Sequence, residues 1–160
     1  MNKIKLTVEF NNSTNVTSHP DLTAFKTWIN NTLKFIHYKK NTASISIALV
    51  SSDKIKQINA QFRNINKPTN ILSFPNTGFI GSKKDELGEI IMCPQVIFKE
   101  ITQKSIVHEA HWAHLTIHGI LHLLGYDHES NTDAEIMEQI EIDCMTDMGY
   151  SNPYIIRDSK

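Results

Sequence analysis

The sequence predicts an α+β fold, a small mixed β-sheet covered by helices, and three observations lead there. Short segments of strand-like apolar alternation are concentrated in the first 93 residues. Helical periodicity then dominates the remainder, so strands lead and helices close the chain. At 160 residues, 40% hydrophobic and 21% charged, the chain has the makings of one domain, residues 1–160, burying roughly two-thirds of its unfolded surface.

Residues 4–10, IKLTVEF, alternate apolar and polar and predict a half-buried strand. After the polar stretch 11–20, Asp21 can cap a helix running to about Ile36, with Leu22, Phe25, Ile29, Leu33 and Ile36 on one stripe. SISIALV (44–50) is a second strand, and Ser51, Ser52 or Asp53 can cap a helix over 54–62. Lys67-Pro68 interrupts the pattern before NILSF (70–74), a short strand ended by Pro75. Polar, glycine-containing 76–88 predicts a surface loop. GEIIMC (88–93) returns as a strand, and Pro94 suits the first turn of the segment after it. A helix is expected over 105–124, stopped by Gly125, and a last one over 132–148, capped by Asn131 or Thr132 and ended by Gly149.

Several classes are excluded early. His and polar residues break every apolar run well short of the ~20 residues a membrane span requires. MNKIKLTVEF lacks the apolar core and cleavage site of a signal peptide, so a cytoplasmic protein is expected. Cys93 and Cys144 are too few and too far apart for a disulfide framework or a paired-cysteine metal site, and are expected to be reduced, semi-buried thiols. Net charge is −1, but residues 1–67 hold ten Lys/Arg against three Asp/Glu, whereas residues 129–160 hold two against eight. A basic N-terminal half can offer a face to a polyanion.

The chemistry concentrates in HGILHLLGYDH, residues 118–128. His118 and His122 stand four apart on the expected helix, one turn from each other on the same face. Two imidazoles so placed can reach one Zn²⁺, and Gly125 turns the chain so that His128 can supply a third ligand. His114 lies eight residues before His122, roughly 12 Å along a helix, too far to share the ion. It is expected to pack or to support a ligand from behind, with His108 and His111 at partly exposed helix positions. This is the spacing of a zincin-like metal-site helix, H-x-x-x-H-x-x-G-x-x-H. In zincin peptidases a Glu after the first His activates water; here that residue is Gly119. The cage is kept and the peptidase base is missing.

HGILHLLGYDH resembles the signature of the YbeY family of metal-dependent, single-strand-specific endoribonucleases of ribosomal RNA maturation. INAQFRNINKPTNILSFP (58–75) and LGEIIMCP (87–94) resemble two further motifs of that family, in the same order. Asn70 and Glu89 depart from the pattern, standing where the family commonly carries Asp. The resemblance implies a zinc-dependent endoribonuclease acting on single-stranded RNA in 16S rRNA 3′-end maturation and ribosome quality control. Its partners would be that RNA and the ribosome or ribosomal proteins, with neither DNA nor a membrane expected.

Three neutral His ligands leave the ion its full charge and an open coordination position. Arg63, one of only two arginines against fourteen lysines, is the candidate for phosphate. Its planar fork meets two phosphate oxygens as no lysine can, and the resemblance implies that it faces the metal cleft. Asp127 can orient an imidazole, accept a proton, or simply build the turn. Asn70 and Ser73 are expected to line the cleft, and Lys54, Lys56 and Lys67 can track a strand of nucleic acid. Two other readings stay open: a zincin-like metallopeptidase with Asp127 as base, and a non-catalytic ribosome-assembly factor with a structural metal.

Overall fold

A computed structural model of the chain describes residues 3–76 and 85–155. Its elements are β1 (Lys5–Asn12), α1 (Leu22–Phe35), β2 (Thr42–Leu49), α2 (Ser52–Arg63), β3 (Ile71–Pro75), β4 (Glu86–Met92), α3 (Pro94–Lys104), α4 (His108–Leu123) and α5 (Asn131–Asp147). The strands form one mixed sheet in the order β1-β2-β4-β3. β1–β2 and β2–β4 pair in parallel, and β3 runs antiparallel to β4 with Leu72 opposite Ile91 and Ser73 opposite Ile90. The expected α+β architecture is the one observed.

Alternation along the strands divides the apolar residues between two cores of unequal size. On one face Ile45, Ile47, Ile90 and Met92 meet Phe25, Ile29 and Leu33 of α1 and Trp112, Ile117 and Leu121 of α4. On the other, Leu72, Ile91 and Cys93 pack with Val50 and with Ile55 of α2. The helix α4 lies against β3 and β4 and is flanked by α1, α3 and α5. Its buried positions run almost all round it, as they must in a helix enclosed on every side. Gly119 makes the close approach possible. A Cβ there would stand 2.8 Å from the end of Ile71 and 2.9 Å from the end of Ile90.

The caps follow the expected chemistry with one shift. Asp21 accepts the Ala24 N–H (2.8 Å) and Ser51 the Lys54 N–H (3.2 Å), while α5 is capped by Ser130, not by Asn131 or Thr132. Along α1, Leu22, expected on the buried stripe, is 41% exposed, and Trp28, outside that expected stripe, is buried with Phe25, Ile29 and Leu33. The helix expected from residue 105 begins instead at His108, because a separate helix, α3, ends at Ser105 in a left-handed conformation (φ 52°). Of the expected loop 76–88, residues 86–88 belong to β4 and residues 77–84 lie outside those described. No helix among the described residues is long and apolar enough to cross a membrane.

Candidate metal centre

The last two turns of α4 bring His118 and His122 together with ring centroids 4.5 Å apart. Their Nε2 atoms are separated by 3.1 Å. Gly125, at φ 97°, ends the helix, and the Tyr126 N–H reaches back to the Leu121 carbonyl (3.0 Å). Only a residue tolerant of that left-handed backbone closes the helix so tightly. Asp127 Oδ1 then accepts the backbone N–H of His128 and of Glu129, the latter at 3.1 Å, fixing the turn. The chain returns His128 to the imidazoles, its ring 5.0 Å from His122 and 5.8 Å from His118. One nitrogen from each of His118, His122 and His128 lies within 4.8 Å of the others, and among the described residues no other such trio of His, Cys, Asp or Glu forms.

The donor set suits a tetrahedral ion. Zinc–nitrogen bonds of about 2.0–2.1 Å put two ligand atoms roughly 3.3 Å apart, close to the Nε2 separation here. Burial first, then the neighbouring His118 and His128, push the His122 pKa down from 6.5 to about 4. A hydrogen bond to the Tyr126 backbone opposes the shift, and the charge of Arg63 adds to it. The ring is therefore neutral near pH 7, with a lone pair to give.

Behind the cluster sits Glu141 of α5, only 1% exposed. Its Oε1 meets His114 Nε2 and accepts the Tyr154 hydroxyl at 2.8 Å, while Oε2 lies 3.4 Å from His118 Nδ1. Burial would raise its pKa, but the bonds from His114 and His118 outweigh it and hold the group at about 2. A cavity of about 270 Å³ opens beside the imidazoles, walled by Met137, Glu138, Glu141 and Tyr154.

The other expected site residues are distributed around this centre. Arg63 ends α2, exposed, near enough to disfavour a charged His122, and pairs with no carboxylate among the described residues. Ser73 lies in the seam between β3 and α4, its hydroxyl 3.4 Å from the Gly119 carbonyl. Asn70 stands just before β3 and faces Glu100 of α3. Its amide donates to both oxygens of Glu100 (3.1 and 3.2 Å), and Oε1 of that carboxylate also meets His111 Nε2 (2.9 Å). His111 is accordingly buried, correcting the exposed position expected for it, because Glu100 of α3 satisfies its ring inside the fold. His108 is exposed and stacks on Phe98. Lys54, Lys56 and Lys67 are exposed on and after α2, and Glu89 is exposed on β4.

Both cysteines are free, and they are fully buried where half-burial was expected. Burial, then the Asp147 charge, pushes the Cys144 thiol up to about 12, and burial raises that of Cys93. Neither thiol suits a metal.

Fold and site together define a class: an α+β protein with three histidines converging at the end of a buried helix. Residues 7–149 match the family model described as Endoribonuclease YbeY. Relatives named Endoribonuclease YbeY include one from Buchnera aphidicola of Acyrthosiphon pisum, 45% identical over 83% of this chain and 84% of its own. One from Buchnera aphidicola of Schizaphis graminum is 39% identical over 99% and 98% of the two chains. One from Coxiella burnetii is 34% identical over 93% and 98%. The solution structure of a Thermotoga maritima protein shares the fold with a TM-score of 0.55 at 24% identity, covering 93% of this chain and 99% of that one. The chain belongs to the YbeY endoribonuclease family.

Proposed function

We propose that this chain acts as one zinc-dependent endoribonuclease domain that cleaves single-stranded RNA in 16S rRNA 3′-end maturation and ribosome quality control. The observation that carries the reading is the convergence of the His118, His122 and His128 imidazoles at the end of α4, with the exposed Arg63 near enough for its charge to bear on His122. It is supported by the family, whose relatives bear the endoribonuclease name.

His118, His122 and His128 would hold the ion through neutral rings. Zinc in such a site supplies Lewis acidity, polarising a phosphoryl oxygen and making water a better nucleophile near neutral pH. Arg63 grips the scissile phosphate through its two-pronged guanidinium and offsets charge growing on the non-bridging oxygens. Asp127 holds the turn that aims His128 and, through Oδ2, can take a proton from water. Ser73 lines the cleft wall next to the ligand helix. Asn70 acts from further off, holding Glu100 and the start of α4. The exposed Lys54, Lys56 and Lys67 track the strand leading to Arg63. The working compartment is the cytoplasm and the partner the ribosome.

Gly119 argues against a peptidase. The Glu of the peptidases is absent, and a Cβ at that position would meet the ends of Ile71 and Ile90. Hydrolysis of a single-stranded RNA, compared with its duplex form and with casein, tests the reading. Zinc-dependent cleavage of the single strand alone, abolished in His122→Ala, is expected. Casein turnover abolished by the same substitution would replace the reading with the peptidase one.

A further inference from the structure

His118 meets His122 through Nε2 and presents Nδ1 to the buried carboxylate of Glu141. An ionised carboxylate can only accept, so a bond at that place requires the proton on Nδ1. The Nε2 lone pair is then left on the side of His122. We infer that Glu141 is a positioning residue: it holds His118 in the Nδ1–H form with its Nε2 lone pair turned to the metal, and is itself held by His114 and Tyr154.

The arrangement links parts of the chain that the site motif does not include. His114 lies one turn before His118 on α4, Glu141 is on α5, and Tyr154 is in the segment beyond α5. The Tyr154 ring also packs edge-on against His114, centroids 5.3 Å apart. Glu141 therefore receives two bonds on one oxygen and offers the other to a ligand ring. With 1% exposure it cannot swing to solvent instead. His122 is held from behind differently, by the Tyr126 backbone. Ligand imidazoles commonly donate their remote N–H to a carboxylate or carbonyl, and losing such a partner weakens metal affinity by about 10–100-fold.

The inference rests on the zinc-site reading, and its test separates the two. Glutamine at 141 keeps the shape but has one accepting oxygen for three donors, so the His118 tautomer is no longer fixed. In the zinc-free wild-type protein, ¹⁵N spectra of the imidazoles should show His118 protonated on Nδ1. In Glu141→Gln the spectrum should move toward the Nε2–H form, and zinc should bind about 10–100-fold more weakly. Tyr154→Phe, at a partly exposed ring, should weaken zinc in the same direction by less and guards against a Glu141 variant that does not fold. A wild-type His118 protonated on Nε2 would overturn the inference with no variant needed. So would variants that lose melting temperature while tautomer and zinc affinity stay unchanged. A wild-type protein that binds no zinc would remove the zinc-site reading as well as the inference.

Discussion

The two halves of the metal centre are built differently. His118 and His122 stand on a helix buried along nearly its whole length, and each ring is backed by a hydrogen-bond partner. His128 is exposed, on a turn set by Gly125 and Asp127, and Arg63 is exposed at the end of the helix on the sheet's opposite face. The enclosed half is where geometry is fixed by packing. Under the proposed function, the open half is the one that would meet a flexible single strand. A site that must hold an ion firmly and admit a polymer needs both.

The largest effect should come from the enclosed half. His118→Ala or His122→Ala should lose nearly all bound zinc and, with it, RNA hydrolysis, measured by metal content and cleavage of a labelled single strand. If either variant kept stoichiometric zinc, the comparison would be wrong about where the ion is held. Arg63→Ala, in the open half, should keep zinc and melting temperature yet lose ~10²–10³ in rate. Arg63→Lys should recover only part, because a point charge does not reproduce the fork. A fall in melting temperature in Arg63→Ala would make that residue part of the scaffold.

Smaller effects sharpen the contrast. Gly119→Ala puts a methyl against the ends of Ile71 and Ile90, one of which must shift, and should destabilise by about 1–3 kcal/mol, read as a lower melting temperature without loss of metal stoichiometry. Acidification should also strike the enclosed half. The folded protein keeps His122 neutral down to about 4, whereas the unfolded chain protonates it near 6.5. The stability it contributes is whole above 6.5 and is lost as pH falls toward about 4. Glu141, depressed from 4.5 to about 2, adds a second loss as pH falls through that lower window. Melting of the zinc-free protein against pH should decline through both windows, and His122→Ala should flatten the first. A flat wild-type profile would contradict the burial argument. Cys93→Ala and Cys144→Ala should leave zinc content unchanged, the smallest effect expected.

What could be read in the sequence was what local spacing encodes. The four-residue step from His118 to His122, the glycine stop and the returning His128 are all within eleven residues, and the structure brings those three rings together. Strand alternation in 4–10 and 44–50 likewise found β1 and β2. Glu141 was invisible because its partner His118 is 23 residues away and α5 has many acids, most of them solvated. Its only sequence sign is an acidic residue among buried Met137, Cys144 and Met145. The break between α3 and α4 was missed because a serine, not a glycine, adopts the left-handed turn at 105. The fate of Asn70 depended on Glu100, a contact across 30 residues.

The central claim is that one metal ion sits among His118, His122 and His128. Diffraction from zinc-loaded crystals on either side of the zinc absorption edge tests it most directly. A single anomalous peak about 2.0–2.1 Å from one nitrogen of each ring is the predicted result. A peak held by other residues, or one that persists in crystals of His128→Ala, would contradict the account.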